Sequence, residues 1–463
     1  MDGDANVVGG GLAGLVAATR LAEAGVDVTL YERRPTVGGR VRTREVDGFT
    51  LDRGFQVLFT SYPAVARELD LGALDLQRFS PGATICRPGS RAVLSDPLRD
   101  PRRAVESAFN HEVTFSDKLR TLALRYDLSK REEHEFFTGK DSSIREYLHD
   151  WGFSDSYVEH FVEPFYGGIT LDRSLSTSKQ VFEYTFRAMS RGSIAVPRDG
   201  MAAIARQLEA RAVDAGVEIR TGEDVEALDV GDGSGGSSGS GGSSGSGDGS
   251  GGSGSAGGIR GRFRLGSGGP AEGARLELAD GSTADADLVV VAATPPEARR
   301  LTGVEAVPEE GVGCVTQWYT LPEGTTFETG KRILLNAAGE SPNTVVPMSE
   351  VAPSSARADR ALLAATFLGA DATKRDDEEL REDTRAALSA WYPERGFEGL
   401  EVVGTDRIPF AQFAQPPGIH GTLPDPDAPE GPVVLAGEYT EWSSIQGALE
   451  SGKRAAEVGL GHL

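Results

Sequence analysis

Residues 5–32 read ANVVGGGLAGLVAATRLAEAGVDVTLYE, in which a glycine-rich turn separates two short apolar runs. The first run, Ala5–Val8, and the second, Val26–Tyr31, have the apolar and β-branched composition of buried strands. Between them, Leu15–Ala24 carries apolar residues at helical spacing and is followed by a glycine, a common helix stop signal. The segment therefore predicts a strand, a helix and a second strand that ends at Glu32.

The glycines of the turn have the spacing Gly-x-Gly-x-x-Gly. Gly9 permits a tight turn, Gly11 lets the backbone approach a pyrophosphate, and Gly14 lets the helix pack closely on the strand. Leu12 and Ala13 lie within the turn and belong to the predicted site, and the helix that follows offers free N–H groups and a positive dipole end to phosphates. The turn therefore predicts phosphate binding at the helix N-terminus.

Glu32 lies 32 − 14 = 18 residues past the last glycine of the turn, at the end of the second strand. A carboxylate at that position can accept hydrogen bonds from a ribose diol. Arg33 follows directly and belongs to the same predicted site. A glycine turn without a ligand is the alternative, but the complete strand–helix–strand context favours dinucleotide binding.

The segment that follows distinguishes FAD from a nicotinamide cofactor. Residues 34–43 read RPTVGGRVRT, which resembles the Gly-Gly-Arg signature of the superfamily of flavin amine oxidases, phytoene desaturases and protoporphyrinogen oxidases. The resemblance implies that Gly38 and Gly39 lie close to FAD and that Arg40 contacts its phosphate or ribose region. A loop with a salt-bridged arginine is the alternative. Residues 48–57, GFTLDRGFQV, resemble the strand that leads past the flavin ring, and this implies that Gly54, Phe55 and Gln56 lie near the isoalloxazine.

The far end of the chain carries a second resemblance to the same superfamily. Residues 433–438, VVLAGE, form an apolar run that ends in an acid, and residues 445–456 have a helical pattern with small residues on one face. In the superfamily, the acid binds the ribityl chain and the helix N-terminus points at flavin N1 and O2. The resemblance therefore implies a second group of FAD ligands, consisting of Gly437, Glu438, Ser444, Ile445, Gln446 and Ala448. It also implies that Val225 meets the adenine side.

These motifs predict an α/β fold with a Rossmann-like FAD-binding domain of the glutathione-reductase type and an interleaved α+β substrate domain. We expect the FAD-binding domain to be discontinuous, over 1–80, 195–300 and 405–463, with the substrate domain formed by 81–194 and 301–404. Residues 231–258 are almost entirely Gly and Ser, cannot form a core, and are predicted to be a flexible loop.

The chain of 463 residues is strongly acidic, with 47 Lys plus Arg against 70 Asp plus Glu and a net charge of −23. Only 7 of the cationic residues are lysines, and an acidic, lysine-poor surface resembles that of proteins from salt-loving microbes. A cationic partner is the alternative. The sequence shows no basic face, so we expect no nucleic-acid partner.

No apolar window is long enough to span a membrane, and the N-terminus lacks a signal-peptide pattern. Cys86 and Cys314 are far apart in sequence, and no cluster of His and Glu suggests a metal site. We therefore expect a cytoplasmic protein without a metal. A peripheral contact with a membrane stays open.

The resemblance implies an FAD-dependent oxidoreductase in which flavin N5 takes a hydride from a substrate C–H; the sequence identifies neither the catalytic side chains nor the electron acceptor. The amine oxidase branch carries a lysine that the matching stretch here, Gly313–Tyr319, lacks. That branch also has an aromatic residue where this chain has Ser444, although Tyr439 and Trp442 are close by. Both departures favour a phytoene desaturase-like enzyme with a small apolar organic substrate of the isoprenoid or carotenoid-precursor kind.

Two alternatives stay open. An amine oxidase or protoporphyrinogen oxidase-like oxidase would be favoured by an aromatic pair that flanks the flavin. A non-enzymatic binding protein similar to the Rab GDP-dissociation inhibitors is disfavoured by the intact Gly38-Gly39-Arg40 and Glu438. One aromatic-rich stretch has two interpretations: ordinary core packing, or the wall of an apolar substrate tunnel. It comprises Phe161, Phe165, Tyr166, Phe182, Tyr184 and Phe186.

Overall fold

The computed structural model describes residues 3–95, 113–230, 263–265, 273–339 and 341–463, with side chains left undescribed at 263–265. The flexible loop predicted at 231–258 lies outside the described residues. The described part combines a parallel sheet flanked by helices with a larger, mostly antiparallel sheet, which confirms the predicted α/β fold class.

Five parallel strands form the first sheet, and they come from distant parts of the chain. Leu288–Val291 is buried at every position, as expected for a strand that is covered on both faces. Because the strands are parallel, the glycine-rich turn and the C-terminal motif, which each follow a strand, lie at the same edge of the sheet. From one side to the other, its strands are Glu218–Thr221, Asp27–Glu32, Asp4–Val8, Leu288–Val291 and Val433–Leu435.

The helix Leu12–Glu23 packs against the helices Ala202–Asp214 and Ile445–Gly459. Gly452 allows the close approach of the first and last of these, because a Cβ at this position would lie 2.3 Å from the carbonyl oxygen of Ala13. The N-terminal and C-terminal motifs are therefore joined by backbone-to-backbone packing as well as by the sheet.

Three smaller sheets and two short helices complete this half of the molecule. A four-stranded sheet has the order Phe263–Leu265, Val225–Val230, Ala274–Leu278 and Thr283–Ala286. A hairpin pairs Thr43–Val46 with Phe49–Asp52. A three-stranded sheet contains Leu58–Phe59, Ile194–Val196 and Gln77–Arg78, and the two helices are Pro63–Glu68 and Pro295–Thr302.

A seven-stranded sheet dominates the second half of the molecule. The strand Glu401–Phe413 pairs along its length with Gly311–Thr320, so it crosses the boundary predicted between 404 and 405. The helix Asp377–Trp391 packs on this sheet, and the short helix Met348–Val351 lies beside it. In order, the strands are Glu401–Phe413, Gly311–Thr320, Leu362–Leu368, Thr344–Pro347, Ile333–Asn336, Ala83–Arg87 and Ser90–Leu94. The predicted domain boundaries otherwise stay a prediction.

A helical insert follows the strand Ser90–Leu94. It consists of the helices Phe115–Ser129, Ile144–Asp150, Asp155–Tyr157, Glu163–Thr170 and Lys179–Arg191, with a π turn at Val158–Val162. In the part of the chain that the structure describes, none of the helices has the length and apolar character needed to cross a bilayer.

Candidate active site

A large cavity lies between the carboxyl edge of the parallel sheet and one face of the seven-stranded sheet. About 2280 Å³ of its space is free of atoms, with its opening to solvent included. A site for one small molecule has roughly 300–1,000 Å³, so a cofactor and a substrate can fit together. All the residues predicted at the cofactor site line this cavity except Gly14 and Gln446.

The glycine-rich turn has the conformation that its sequence predicts. Gly9 has a φ of +109°, and a Cβ there would lie 2.6 Å from the carbonyl oxygen of Ala292. Gly14 lies beneath the turn, where a Cβ would be 2.0 Å from the carbonyl oxygen of Gly9, and this close packing keeps it out of the cavity. At Gly11, by contrast, no atom lies within 4 Å of the position that a Cβ would take, so the backbone there is open to a ligand.

Gly11 also precedes the helix Leu12–Glu23 as a cap residue without a side chain. The first N–H groups of the helix therefore receive no side-chain cap and face the cavity with the positive end of the helix dipole. Glu32 lies beside this turn. Its Oε2 accepts from Gly10 N at 2.8 Å and its Oε1 from Arg34 N at 2.9 Å.

The Gly38–Arg40 loop contacts the glycine-rich turn directly. Gly38 N donates to Gly10 O at 2.7 Å, and a Cβ on Gly39 would lie 3.2 Å from the Cα of Gly11. Arg40 extends from this loop to form an ion pair with Glu438, and its Nη1 donates to Ala411 O at 3.1 Å. The two ends of the chain therefore meet in the cavity wall.

The helix Ile445–Gly459 begins at the cavity. Ser444 caps it by accepting from Gly447 N at 2.8 Å. Ser444, Ile445 and Ala448 line the cavity, whereas Gln446 turns its side chain away and accepts from Ala64 N at 2.9 Å. The side chain of Gln446 is therefore committed to a neighbouring helix.

Phe55 and Gln56 continue the wall. Phe55 N donates to Thr316 Oγ1 at 3.1 Å, and this contact fastens the segment to the seven-stranded sheet. Gln56 Nε2 donates to Arg40 O at 3.1 Å, while Gln56 Oε1 is buried and has no hydrogen-bond partner in the structure. The Gln56 Oε1 atom can therefore accept a hydrogen bond from a bound ligand.

The opposite end of the cavity is uncharged and largely apolar. The described residues that the seven-stranded sheet and the helical insert contribute to its wall include no charged side chain. Most of this wall was not predicted from the sequence, and of the aromatic-rich stretch only Phe165 lines the cavity. Representative members are Phe59, Tyr62, Phe165, Val181, Ile333 and Leu335.

Features expected of an amine site are missing from the described lining. It contains no lysine, and Tyr439 is buried with its hydroxyl donating to Val291 O at 3.1 Å. Tyr62 and Trp442 line the cavity, but their ring centroids are 5.9 Å apart at an interplanar angle of 86°. Rings in edge-to-face contact leave no space for a cation between them. Burial raises the pKa of the Cys314 thiol to about 12, so this wall residue stays neutral.

Comparisons with known proteins agree with this arrangement. A family model described as flavin containing amine oxidoreductase matches residues 12–249 and 264–458. Carotenoid phi-ring synthase of Streptomyces griseus is 56% identical over 61 residues, which is 12% of this chain and 12% of that protein. Carotenoid 3,4-desaturase of Haloarcula japonica is 41% identical over 87 residues, or 17% of each chain. The matched segments therefore span less than a fifth of these curated relatives.

A solved oxidoreductase from Methanosarcina mazei has a TM-score of 0.71 at 18% identity, with 98% of this chain and 100% of that chain covered. At this identity the likeness shows the fold.

The cofactor of the matched family is FAD, and the cavity fits it in two respects. The open backbone at Gly11 can admit a phosphate, and the buried, unpartnered Gln56 Oε1 can accept a hydrogen bond from a ring N–H.

Proposed function

The chain belongs to the flavin-containing amine oxidoreductase family, and from that premise we propose that it dehydrogenates an apolar, isoprenoid-like substrate. The observation that carries the proposal is the absence of charge from the described wall that the seven-stranded sheet and the helical insert contribute. The short matches to carotenoid enzymes support the same substrate class.

The two ends of the chain would hold the cofactor. The open turn at Gly11 would receive the pyrophosphate, Glu32 the adenosine ribose, and Glu438 the ribityl hydroxyls. When bound, FAD would accept a hydride, which carries both electrons of the dehydrogenation, and the second hydrogen would leave the substrate as a proton to the solvent at the cavity opening. The N-terminus of the helix Ile445–Gly459 would place a positive dipole end beside the flavin.

The apolar wall would orient the substrate and exclude water. Transfer of apolar surface from water contributes about 25 cal/mol per Å², so a wall without charges can bind a hydrocarbon chain without anchoring groups. A cationic amine would lose its hydration here and find no carboxylate on this wall, and this cost disfavours the amine alternative.

The test is anaerobic mixing of the FAD-loaded protein with candidate substrates while the oxidised flavin absorbance is followed. We expect bleaching by detergent-solubilised phytoene and none by putrescine or benzylamine. Bleaching by an amine, with no response to the polyene, would contradict the proposal and favour an amine oxidase.

A further inference from the structure

Three threonines lie side by side on the face of the seven-stranded sheet that borders the cavity. Thr366 is paired with Thr316 on one neighbouring strand and with Thr344 on the other, and all three line the cavity. Residues directly opposite each other on antiparallel strands have side chains on the same face, with Cβ atoms about 4.5–5.5 Å apart. The sheet therefore presents a line of hydroxyl-bearing side chains to the cavity, which we call the threonine row.

The hydroxyl group at the centre of the threonine row has no partner. Thr366 is 4% exposed, and its Oγ1 forms no hydrogen bond in the part of the chain that the structure describes. The alternate residues of its strand pack in the core behind the sheet; they are Leu363, Ala365 and Phe367. A buried hydroxyl group without a partner is unfavourable, whereas a valine of nearly the same shape would fit without this cost. The fold itself therefore gives no reason for a hydroxyl group at Thr366.

Thr316 provides a free hydrogen-bond donor beside Thr366. Its Oγ1 accepts from Phe55 N at 3.1 Å, and among the described residues none accepts the proton of this hydroxyl group. A hydroxyl group can donate one hydrogen bond and accept two. A ligand oxygen between the two threonines can therefore accept from Thr316 and donate to Thr366. A hydroxyl group is the simplest ligand group that does both.

Two further polar side chains of the same wall already donate hydrogen bonds to the protein. Thr185 Oγ1 donates to Val181 O at 2.7 Å, and Gln412 Nε2 donates to Ile169 O at 2.8 Å. These contacts leave the buried, unpartnered hydroxyl group of the threonine row as the feature of this wall that a ligand can complete.

The threonine row begins close to the segment predicted beside the flavin. Thr316 is bonded to Phe55, while at the far end a Cβ on Gly168 of the helical insert would lie 3.9 Å from Thr344 Cγ2. Neighbouring strands are about 4.7–4.9 Å apart, so Thr366 lies roughly that distance beyond Thr316. An oxygen bound at Thr366 would therefore lie only a few bonds from the carbon that loses its hydride.

We propose that the threonine row binds a hydroxyl group of the substrate, so that the enzyme prefers an isoprenoid alcohol to the corresponding hydrocarbon. The inference deepens the proposed function and rests on it for the dehydrogenation itself. An apolar wall alone lets a hydrocarbon chain slide along the cavity, whereas a hydrogen-bonded hydroxyl group fixes which carbon atoms lie at the flavin.

The test compares the binding of phytane and dihydroisophytol to the FAD-loaded protein. Both are saturated isoprenoid chains of the same length, and they differ by one tertiary hydroxyl group, which cannot be oxidised to a carbonyl. Equilibrium dialysis of the tritium-labelled ligands in detergent gives a dissociation constant for each. We expect Thr366→Val to weaken the binding of the alcohol about tenfold, as the loss of one hydrogen bond does, and to leave the binding of phytane unchanged.

Two further variants make the comparison specific. Thr366→Ser keeps the hydroxyl group and should retain the affinity for the alcohol. Thr320→Val is the matched control, because Thr320 lies on the same strand as Thr316, is buried and does not line the cavity. Partition of the ligands into detergent micelles is the same for every variant and cancels. Thr366→Val should melt no lower than the wild type, since it removes a hydroxyl group without a partner.

An unchanged affinity of Thr366→Val for the alcohol would overturn the inference and show that this hydroxyl group binds water only. An equal loss of both ligands would overturn it by indicating a change in cavity shape, and so would a wild type that binds neither chain. If the selective loss is found and phytoene fails to bleach the flavin, the proposed function fails while the hydroxyl site stands. If phytoene bleaches the flavin and Thr366→Val shows no selective loss, the inference fails alone.

Discussion

Arg40 and Glu438 form an ion pair across the wall of the cavity, although they lie near opposite ends of the sequence. The side chain of Glu438 is 6% exposed and that of Arg40 28%, so the carboxylate depends on this partner for most of its compensation. Both residues were predicted to face the cofactor. The pair therefore fixes the distance between the glycine-rich half of the site and the half formed by the C-terminal helix.

Replacement of Gly11 by alanine should abolish FAD binding while leaving the fold intact. A methyl group at this position meets no protein atom within 4 Å and the backbone φ is −73°, so the free protein is not strained. The methyl would occupy the space where the phosphate must approach. Gly421→Ala is the control, because that glycine is equally open and does not line the cavity. FAD content after purification and the melting temperature of the apoprotein measure the two effects, and full FAD content in Gly11→Ala would contradict the assignment.

Glu438→Gln should weaken FAD binding by about tenfold to a hundredfold. A hydrogen bond to a charged group contributes about 1.5–3 kcal/mol, and the amide keeps the shape but loses the charge. Fluorescence titration of the apoprotein with FAD gives the dissociation constant. Glu441→Gln provides the comparison, since that acid lies nearby, pairs with Arg454 and does not line the cavity. Equal losses in the two variants would indicate a general effect on folding.

Asp52→Asn should reduce the pH dependence of stability between pH 4.5 and 7.5. Burial raises the pKa of Asp52 to about 6, although Thr43 Oγ1 and Met201 N donate to its Oδ1 and lower it. The folded state therefore holds a proton that the unfolded state has released, and stability falls as pH rises from about 4 to about 6. This contribution is about 2 kcal/mol, and the neutral amide should remove it. Urea unfolding of both proteins at the two pH values gives the free energies of unfolding. If the change in this free energy between pH 4.5 and 7.5 is the same in Asp52→Asn as in the wild type, the prediction is wrong and Asp52 titrates normally.

Gly452→Ala should destabilise the protein by about 1–3 kcal/mol, the usual cost of overpacking. Its Cβ would lie 2.3 Å from Ala13 O and 2.9 Å from Val16 Cβ, so the two helices must separate. Because Ala13 also lines the cavity, the affinity for FAD should fall as well. Thermal melts of the apoprotein, with Gly421→Ala again as reference, measure the stability. A melting temperature equal to that of the wild type would mean that the helices tolerate a wider spacing.

The sequence was most informative where one residue type is required by the backbone. Gly9, Gly11 and Gly14 have the geometry expected from their spacing, and Glu32 lies beside the turn as predicted. The helix begins at Leu12 rather than at the predicted Leu15, because Gly11 caps it and the second half of the glycine-rich turn is itself helical. Local signals of this kind depend on few neighbours and can be interpreted without a tertiary structure.

The substrate wall could not be predicted, because its members meet only in three dimensions. Phe59 and Ile194 belong to short paired strands, and Val181 to a helix far along the chain. Phe165 lines the cavity while the adjacent Tyr166 packs against Phe182, since neighbouring residues of a helix face different sides. Gln446 was predicted to meet the cofactor through its backbone at the start of the C-terminal helix, and this stays a prediction; its side chain accepts from Ala64 N.

The interleaved parallel sheet imposes an order on biosynthesis. The strand Asp4–Val8 is synthesised 288 − 8 = 280 residues before its neighbour Leu288–Val291, which emerges about 15–60 seconds later at translation rates of roughly 5–20 residues per second. Until then, one edge of the nascent strand has no partner and the apolar side of the first helix lacks its cover. The nascent chain is therefore expected to engage a chaperone, and the sheet domain is complete only after the helix Ile445–Gly459 has also been made.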